Sequence, residues 1–264
     1  MDRLTEKYAR LCGILRGLGS AAVAFSGGVD STLLLRAAVD ALGERCAAVT
    51  VRSVFVPETE QAAAEALCRR LGARQILLDA DVLAIPGVAE NPPERCYLCK
   101  RAIMGRILDA AAEQGLAFVV EGSNLDDQGD YRPGARALRE LGVRSPLQEA
   151  ELTKAEIRAL SRTLGLPTAD KPAMACLASR FPHGAALTPE GLRRVAAAEK
   201  YLTGLGLTQK RVRVHGDLAR IETLPEEAAL VTSRAGEVDA AMKALGFRYA
   251  ALDLGGFRSG NMNP

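Results

Sequence analysis

Apolar and polar positions along the chain recur with two periods. In residues 4–18 the apolar side chains Leu4, Tyr8, Leu11, Ile14 and Leu15 return at helical spacing, which predicts an amphipathic helix. Residues 21–25 form a short continuous apolar run, the signature of a buried strand, and residues 32–42 read as a helix again. The alternation continues with strands at 47–51, 74–78 and 117–121 and helices at 58–71 and 103–114. Strands that alternate with helices of this length predict an α/β fold, a mostly parallel sheet with helices on both faces. Ligands on such sheets bind at the carboxyl ends of the strands, where the turn after residue 25 and the segment after Glu121 both emerge.

The pattern is interrupted twice. Residues 85–100, with Pro86, Pro92 and Pro93, read as an irregular stretch long enough to be functional. Residues 154–164 are a helix with Thr153 as its cap, and Gly165, Pro167, Pro172 and Pro182 then break the pattern. The domain boundary is therefore expected near Lys171, giving one domain at 1–170 and a second at 171–264. The second reads as a helix at 189–205, strands at 211–215 and 219–223, a single helix at 225–245 and a strand at 249–254, a small α+β domain. Internal repeats and low-complexity segments are not evident.

Composition narrows the class. The 264 residues are enough for a full core, and a net charge of +2 argues against a surface that coats nucleic acid. The first ten residues carry charges and no apolar signal segment, so a cytoplasmic protein is expected. Without an export signal the six cysteines are expected as thiols, metal ligands or catalytic groups rather than disulfides. Cys12, Cys46 and Cys68 sit singly in apolar patterns and read as small buried hydrophobes. Cys96, Cys99 and Cys176 do not.

The chemistry begins at Ser26-Gly27-Gly28-Val29-Asp30-Ser31, which links a predicted strand to a predicted helix. Adjacent glycines let the backbone approach a ligand, and helix N-terminal N–H groups favour an anion. Ser26 and Ser31 add hydroxyls; Asp30 suits a phosphate site if it holds a metal, magnesium being expected, or orients the loop. A plain glycine turn with a serine cap is the competing reading. The spacing is neither that of a Walker loop nor the dinucleotide fingerprint. It resembles the PP-loop of the ATP pyrophosphatases, which implies the adenine nucleotide alpha hydrolase-like fold and ATP cut between its α and β phosphates, with adenylation of a substrate oxygen. Asp126, Asp127 and Asp130 come after the strand end at Glu121 and are candidates for magnesium ligands or for ordinary loop chemistry.

Further motifs sharpen the resemblance: Tyr131-Arg132-Pro133-Gly134, Val143-Arg144-Ser145-Pro146-Leu147, Lys171-Pro172-Ala173, Cys176-Leu177-Ala178-Ser179-Arg180-Phe181-Pro182, Arg211-Val212-Arg213-Val214-His215, and the run from Leu252 to Gly260. With the loop, they make the chain similar to the LarE family over nearly its whole length. That resemblance implies an ATP-dependent sulfur transferase of nickel-pincer nucleotide synthesis, which adenylates the carboxylates of a pyridinium biscarboxylate mononucleotide and converts them to thiocarboxylates. It implies catalytic roles for Asp30 and Cys176, with Ser179 and Arg180 beside the sulfur, and an ATP site at Ser26, Gly27, Gly28, Asp30 and Ser31.

Arg211 and Arg213 alternate on a strand, so they share a face and could clamp a substrate phosphate, the alternative being a solvated face. Members of the family either sacrifice the sulfur of one cysteine or hold an iron–sulfur cluster with three. Cys96-Tyr97-Leu98-Cys99 plus Cys176 matches the second sort, a [4Fe-4S] cluster with one iron left for exogenous sulfide. A lone C-x-x-C also suits zinc or a dithiol redox pair, and sacrifice of Cys176 is the next reading. An enzyme thiolating a tRNA base and a non-catalytic nucleotide-binding regulator are the alternative functions. A small-molecule nucleotide substrate and a homo-oligomer are expected, with no membrane or nucleic-acid partner.

Overall fold

The computed structural model describes residues 3–129 and 133–258. The chain divides into two compact units, one of residues 1–81 and 96–174, the other of residues 82–95 and 175–264. The segment Val82–Arg95 thus goes with the distant C-terminal part of the chain.

The first unit is a parallel sheet of β1 (Ala21–Ala24), β2 (Cys46–Arg52), β3 (Gln75–Asp79) and β4 (Phe118–Val120) in the order β3-β2-β1-β4. Alternation along the strands divides the side chains between two cores. Ala21, Val23, Cys46, Ala48 and Val120 face one side and pack with α1 (Arg3–Leu18), α2 (Val29–Leu42), α3 (Glu58–Arg70), α6 (Pro146–Glu149) and α7 (Lys154–Thr163). Ala22, Ala47, Val49 and Val119 face the other and pack with α4 (Arg95–Glu113) and α5 (Pro133–Glu140). Cys12, Cys46 and Cys68 lie in the first core, and burial pushes all three thiols up, Cys68 to about 12. They are inert packing groups at neutral pH.

Two expectations fail here. The stretch 85–100 is not irregular throughout, because α4 begins at Arg95, eight residues before the expected start at 103. Pro92 and Pro93 stop just short of it, and the Arg95 N–H donates to the Pro92 carbonyl. Cys96 and Cys99 therefore lie one turn apart on a helix and not in a loop.

The second unit has a three-stranded sheet, β5 (Lys210–His215) antiparallel to β6 (Leu218–Thr223) and β6 parallel to β7 (Tyr249–Leu252). Helix α8 (Pro189–Gly204) starts at Thr188, whose hydroxyl caps the Gly191 N–H. The single helix expected at 225–245 is three pieces, a 3-10 turn at Pro225–Glu227, α9 (Ala228–Thr232) and α10 (Ala235–Ala244). The Thr232 and Ser233 hydroxyls bond back to carbonyls of the preceding turn, where α9 ends. No helix among the described residues is long and apolar enough to cross a membrane.

Candidate active site

In the first unit, the strand order reverses at β1, whose neighbours are β2 on one side and β4 on the other. The crevice beyond the carboxyl ends of such strands is where open α/β sheets bind ligands. Two loops meet there. The Phe25 N–H donates to the Val49 carbonyl and ends β1, and Gly27 then takes φ 71°, turning the chain into α2. A side chain at Gly27 would stand 3.1 Å from the Ala64 Cβ of α3, so this position needs glycine for both conformation and space. From the other side comes Gly122, after β4, where a Cβ would lie 3.1 Å from the Ser31 nitrogen.

Gly28 is the N-cap of α2 and contributes no side-chain bond, which leaves the first-turn N–H donors directed at the loop. Ser26 and Ser31 place their hydroxyl oxygens 3.1 Å apart, and Thr32 Oγ1 donates to the Gly28 carbonyl at 2.7 Å. Asp30 is the charged member. It pairs with Lys154 and accepts a bond from Asn124 Nδ2 at 3.3 Å. Lys154 opens α7, where a cation opposes the helix dipole, and Asp30 answers that charge. A complete capping box between Thr153 and Glu156 fixes this helix start, and Lys7 of α1 binds Glu156 at 2.7 Å.

A second lysine stands at the loop. Lys171 Nζ donates to the Gly27 carbonyl at 3.0 Å and to Glu60 of α3 at 2.6 Å. Arg158 holds the segment that carries it through the carbonyls of Ala169 and Lys171. Both lysines lacked an assigned role in the sequence. For Lys154 a signal existed, since a cation at the first position of a helix asks for a partner.

Asp126 and Asp127 are backbone acceptors. Asp126 Oδ2 takes the Lys154 N–H at 2.8 Å, and Asp127 Oδ2 takes the Asn124 N–H at 3.0 Å. These bonds are ordinary loop chemistry, each made by one oxygen of its carboxylate. Asp130, Tyr131 and Arg132 lie outside the described residues, as do Ser259 and Gly260.

In the second unit, Cys176 is half-buried and precedes a 3-10 turn, Leu177–Arg180. Arg180, expected beside the sulfur, is fully buried and grips backbone instead. Its Nη1 donates to the carbonyls of Ala175 (2.8 Å) and Cys176 (3.1 Å), while Nε and Nη2 bind both oxygens of Glu199 at 2.9 Å. Ser179 Oγ also donates to the Cys176 carbonyl, at 2.7 Å. Both residues thus donate to the Cys176 carbonyl and hold the turn that follows it. The cation at the thiol is Arg95, whose Nη1 donates to Cys176 Sγ at 3.4 Å.

Arg211 and Arg213 share a face, but it is buried and not solvated. Arg213 binds Glu222 at 2.9 Å and the Ser179 carbonyl at 3.0 Å, so its charge is already answered. Glu222 also takes Arg220, which reaches Asp253 as well. Arg211 donates to the Lys210 carbonyl and lies 5.0 Å from the centre of the Phe257 ring. Burial and the neighbouring Arg180 lower its pKa to about 10. An anion beside it would relieve that cost.

Cys96 is exposed and Cys99 half-buried on the first turn of α4. Tyr97 between them bonds Glu140 at 2.6 Å and lies under the Arg136 guanidinium, which ties this turn to α5. Among the described residues no group of three or more His, Cys, Asp or Glu is assembled to hold a metal ion.

The chain is 43% identical to the pyridinium-3,5-bisthiocarboxylic acid mononucleotide synthase of Lactiplantibacillus plantarum, across all of this chain and 96% of that protein. The chain belongs to the LarE family. An uncharacterized protein of Synechocystis is 41% identical over 98% of both chains. The tRNA-specific 2-thiouridylase MnmA of Frankia alni is 30% identical over 56% of this chain and 52% of its own. No family model matches the chain. The LarE-family sequence and the strand–loop–helix geometry of residues 21–42 identify the first unit as the PP-loop type of α/β fold.

Proposed function

We propose that this LarE-family chain is an ATP-dependent sulfur transferase that converts carboxylates of pyridinium-3,5-biscarboxylic acid mononucleotide to thiocarboxylates, a step in making the nickel-pincer nucleotide. The observation that carries it is the loop between β1 and α2, a turn with two glycines, two hydroxyls and uncapped helix donors in a chain similar end to end to a synthase of the bisthiocarboxylate. The relative that thiolates tRNA supports the same kind of activation over little more than half the chain.

The chemistry is an exchange of oxygen for sulfur. A carboxylate oxygen attacks the α phosphorus of ATP, the bond to the β phosphate breaks, and pyrophosphate leaves. The acyl adenylate then reacts with a sulfur nucleophile at the acyl carbon, and AMP departs with the original carboxylate oxygen. In this scheme the α2 N–H donors, Ser26 and Ser31 bind the pyrophosphate part, with Lys154 and Lys171 available to answer its charge. Magnesium comes with the phosphates of ATP, with Asp126 and Asp127 as candidate ligands beside the loop. Arg211 and Arg213, on one face of β5, take the phosphate of the mononucleotide.

The sulfur reaches the acyl carbon in one of two ways. Cys96, Cys99 and Cys176 match in kind the thiolate donors of a [4Fe-4S] cluster, which when bound has one iron open to exogenous sulfide. Alternatively Cys176 itself attacks as the nucleophile, and cleavage of its Cβ–S bond with loss of the α proton leaves dehydroalanine. Protein prepared without oxygen, analysed for iron and by intact mass after reaction, decides between them. Iron that falls in each Cys→Ser variant, with Cys176 unmodified after several turnovers, supports the cluster. Dehydroalanine at 176 in most chains overturns it. Failure of both, with no ATP-dependent sulfur in the nucleotide, overturns the function itself.

A further inference from the structure

The segment Val82–Arg95, singled out by its prolines, has no role in the chemistry above, yet it is built into the second unit with some care. Val82, Val88, Asn91 and Arg95 are all buried. Asn91 adopts φ 54°, uncommon for a residue with a side chain, and donates from Nδ2 to the Pro182 carbonyl at 2.8 Å. The Gly184 N–H returns a bond to the Asn91 carbonyl at 2.8 Å, and the Leu187 N–H bonds the Ala89 carbonyl at 2.7 Å. The segment is thus stitched to residues 182–187, a few positions beyond the Cys176 turn. Pro92 and Pro93 stiffen the last residues of the segment, and the chain then delivers Arg95 Nη1 to 3.4 Å from the Cys176 sulfur. The two residues are 81 positions apart in sequence.

We infer that Arg95 is a positioning residue for Cys176: the strap Val82–Arg95 exists to hold one guanidinium against that sulfur, fixing its direction and drawing an anionic electrophile to it. The inference rests on the reading of Cys176 as the sulfur-handling residue. The acyl adenylate carries a phosphate charge, and a fixed cation beside the nucleophile raises its local concentration. A guanidinium serves better than an ammonium because it stays charged throughout the working range and presents its donors in a rigid fork. Arg180 cannot take this part, since its guanidinium donates to the Ala175 and Cys176 carbonyls, Ser179 Oγ and Glu199.

The test needs no turnover. Full-length protein is alkylated at one pH with iodoacetate, which is anionic, and with iodoacetamide, which is neutral, and the Cys176 peptide is followed by mass spectrometry. The ratio of the two rates reads local charge and is insensitive to a general loosening of the turn. In the parent the ratio at Cys176 should exceed that of glutathione by about tenfold at low salt and fall as salt is raised, though not to the glutathione value, since the buried Arg95 is screened less than an exposed charge. Arg95→Met should bring the ratio to the glutathione value, and Arg95→Lys should restore most of it. A parent ratio no higher than that of glutathione, or one unchanged in Arg95→Met, would overturn the inference. The parent's salt dependence stands even if Arg95→Met does not fold. Should the charge effect be present in a protein that never thiolates the nucleotide, the proposed function fails and the placement of Arg95 survives.

Discussion

Gly27 and Gly28 are neighbours in the same loop, and the structure asks opposite things of them. At Gly27 an alanine would have to hold φ 71°, which costs an L-residue roughly 1–2 kcal/mol. Its Cβ would also stand 3.1 Å from the Ala64 Cβ and 3.3 Å from the Ala64 Cα, a crowding of helix α3 that adds about 1–3 kcal/mol. The lost freedom of glycine in the unfolded chain offsets only about 0.4–1 kcal/mol. Gly27→Ala should therefore lose about 2–3 kcal/mol of stability. At Gly28 the backbone is extended, φ −80° and ψ 169°, and a Cβ meets nothing closer than Ser26 Oγ at 3.5 Å. Gly28→Ala should leave stability within about 0.5 kcal/mol of the parent. Yet it puts a methyl group on the surface offered to the phosphates, so acceptor-dependent pyrophosphate release should fall sharply. Urea denaturation measures the first effect and a pyrophosphate assay the second. A Gly28→Ala protein with parental activity would show that the loop does not touch the nucleotide, and a Gly27→Ala protein as stable as the parent would refute the packing argument.

Lys154→Met should abolish pyrophosphate release while costing no more than about 1 kcal/mol of stability, because the Lys154–Asp30 pair is part-exposed; parental release rates would remove Lys154 from the site. Arg180→Met should cost about 3–5 kcal/mol by leaving Glu199 charged and buried, and adding Glu199→Met should recover part of it. Urea midpoints that are additive for the two changes would contradict the pairing. Glu227 is held below the ordinary glutamate range, burial opposing and being outweighed by bonds from Thr208, Thr223 and the Gln209 N–H. With the folded value below the unfolded one near 4.5, its contribution is whole above that pH and is lost as pH falls through the folded value. Glu227→Gln should flatten the fall in urea midpoint below that pH, and an unchanged slope would remove Glu227 as a cause.

The parts legible in the sequence were those written in adjacent residues. A strand, two glycines and a helix lie side by side at 21–42, and Thr153 stands directly before the helix it caps. What the sequence hid was pairing across distance. Arg180 reads as a cation next to Cys176, but only the fold shows that Glu199 and two carbonyls consume its donors. Arg95 is remote from Cys176 in the chain and meets it through a strap whose bonds are mostly backbone, which no side-chain pattern reports. The alternation of Arg211 and Arg213 correctly put both on one face, while the pairing of Arg213 with Glu222 of the neighbouring strand shows only in the fold. At α4 the prolines looked like the middle of a loop because a Pro pair marks a helix start only when the following turn is known to be helical.

The central claim is that ATP activates a carboxylate of the nucleotide by adenylation, and the fate of one oxygen atom tests it. The mononucleotide is prepared with heavy oxygen in its carboxylates and incubated with the protein, ATP, magnesium and sulfide, and the nucleotide products are analysed by mass. The account predicts AMP that carries one heavy oxygen, in step with each oxygen-to-sulfur exchange in the product and with unlabelled pyrophosphate. Unlabelled AMP, or heavy oxygen in inorganic phosphate released together with ADP, would contradict it.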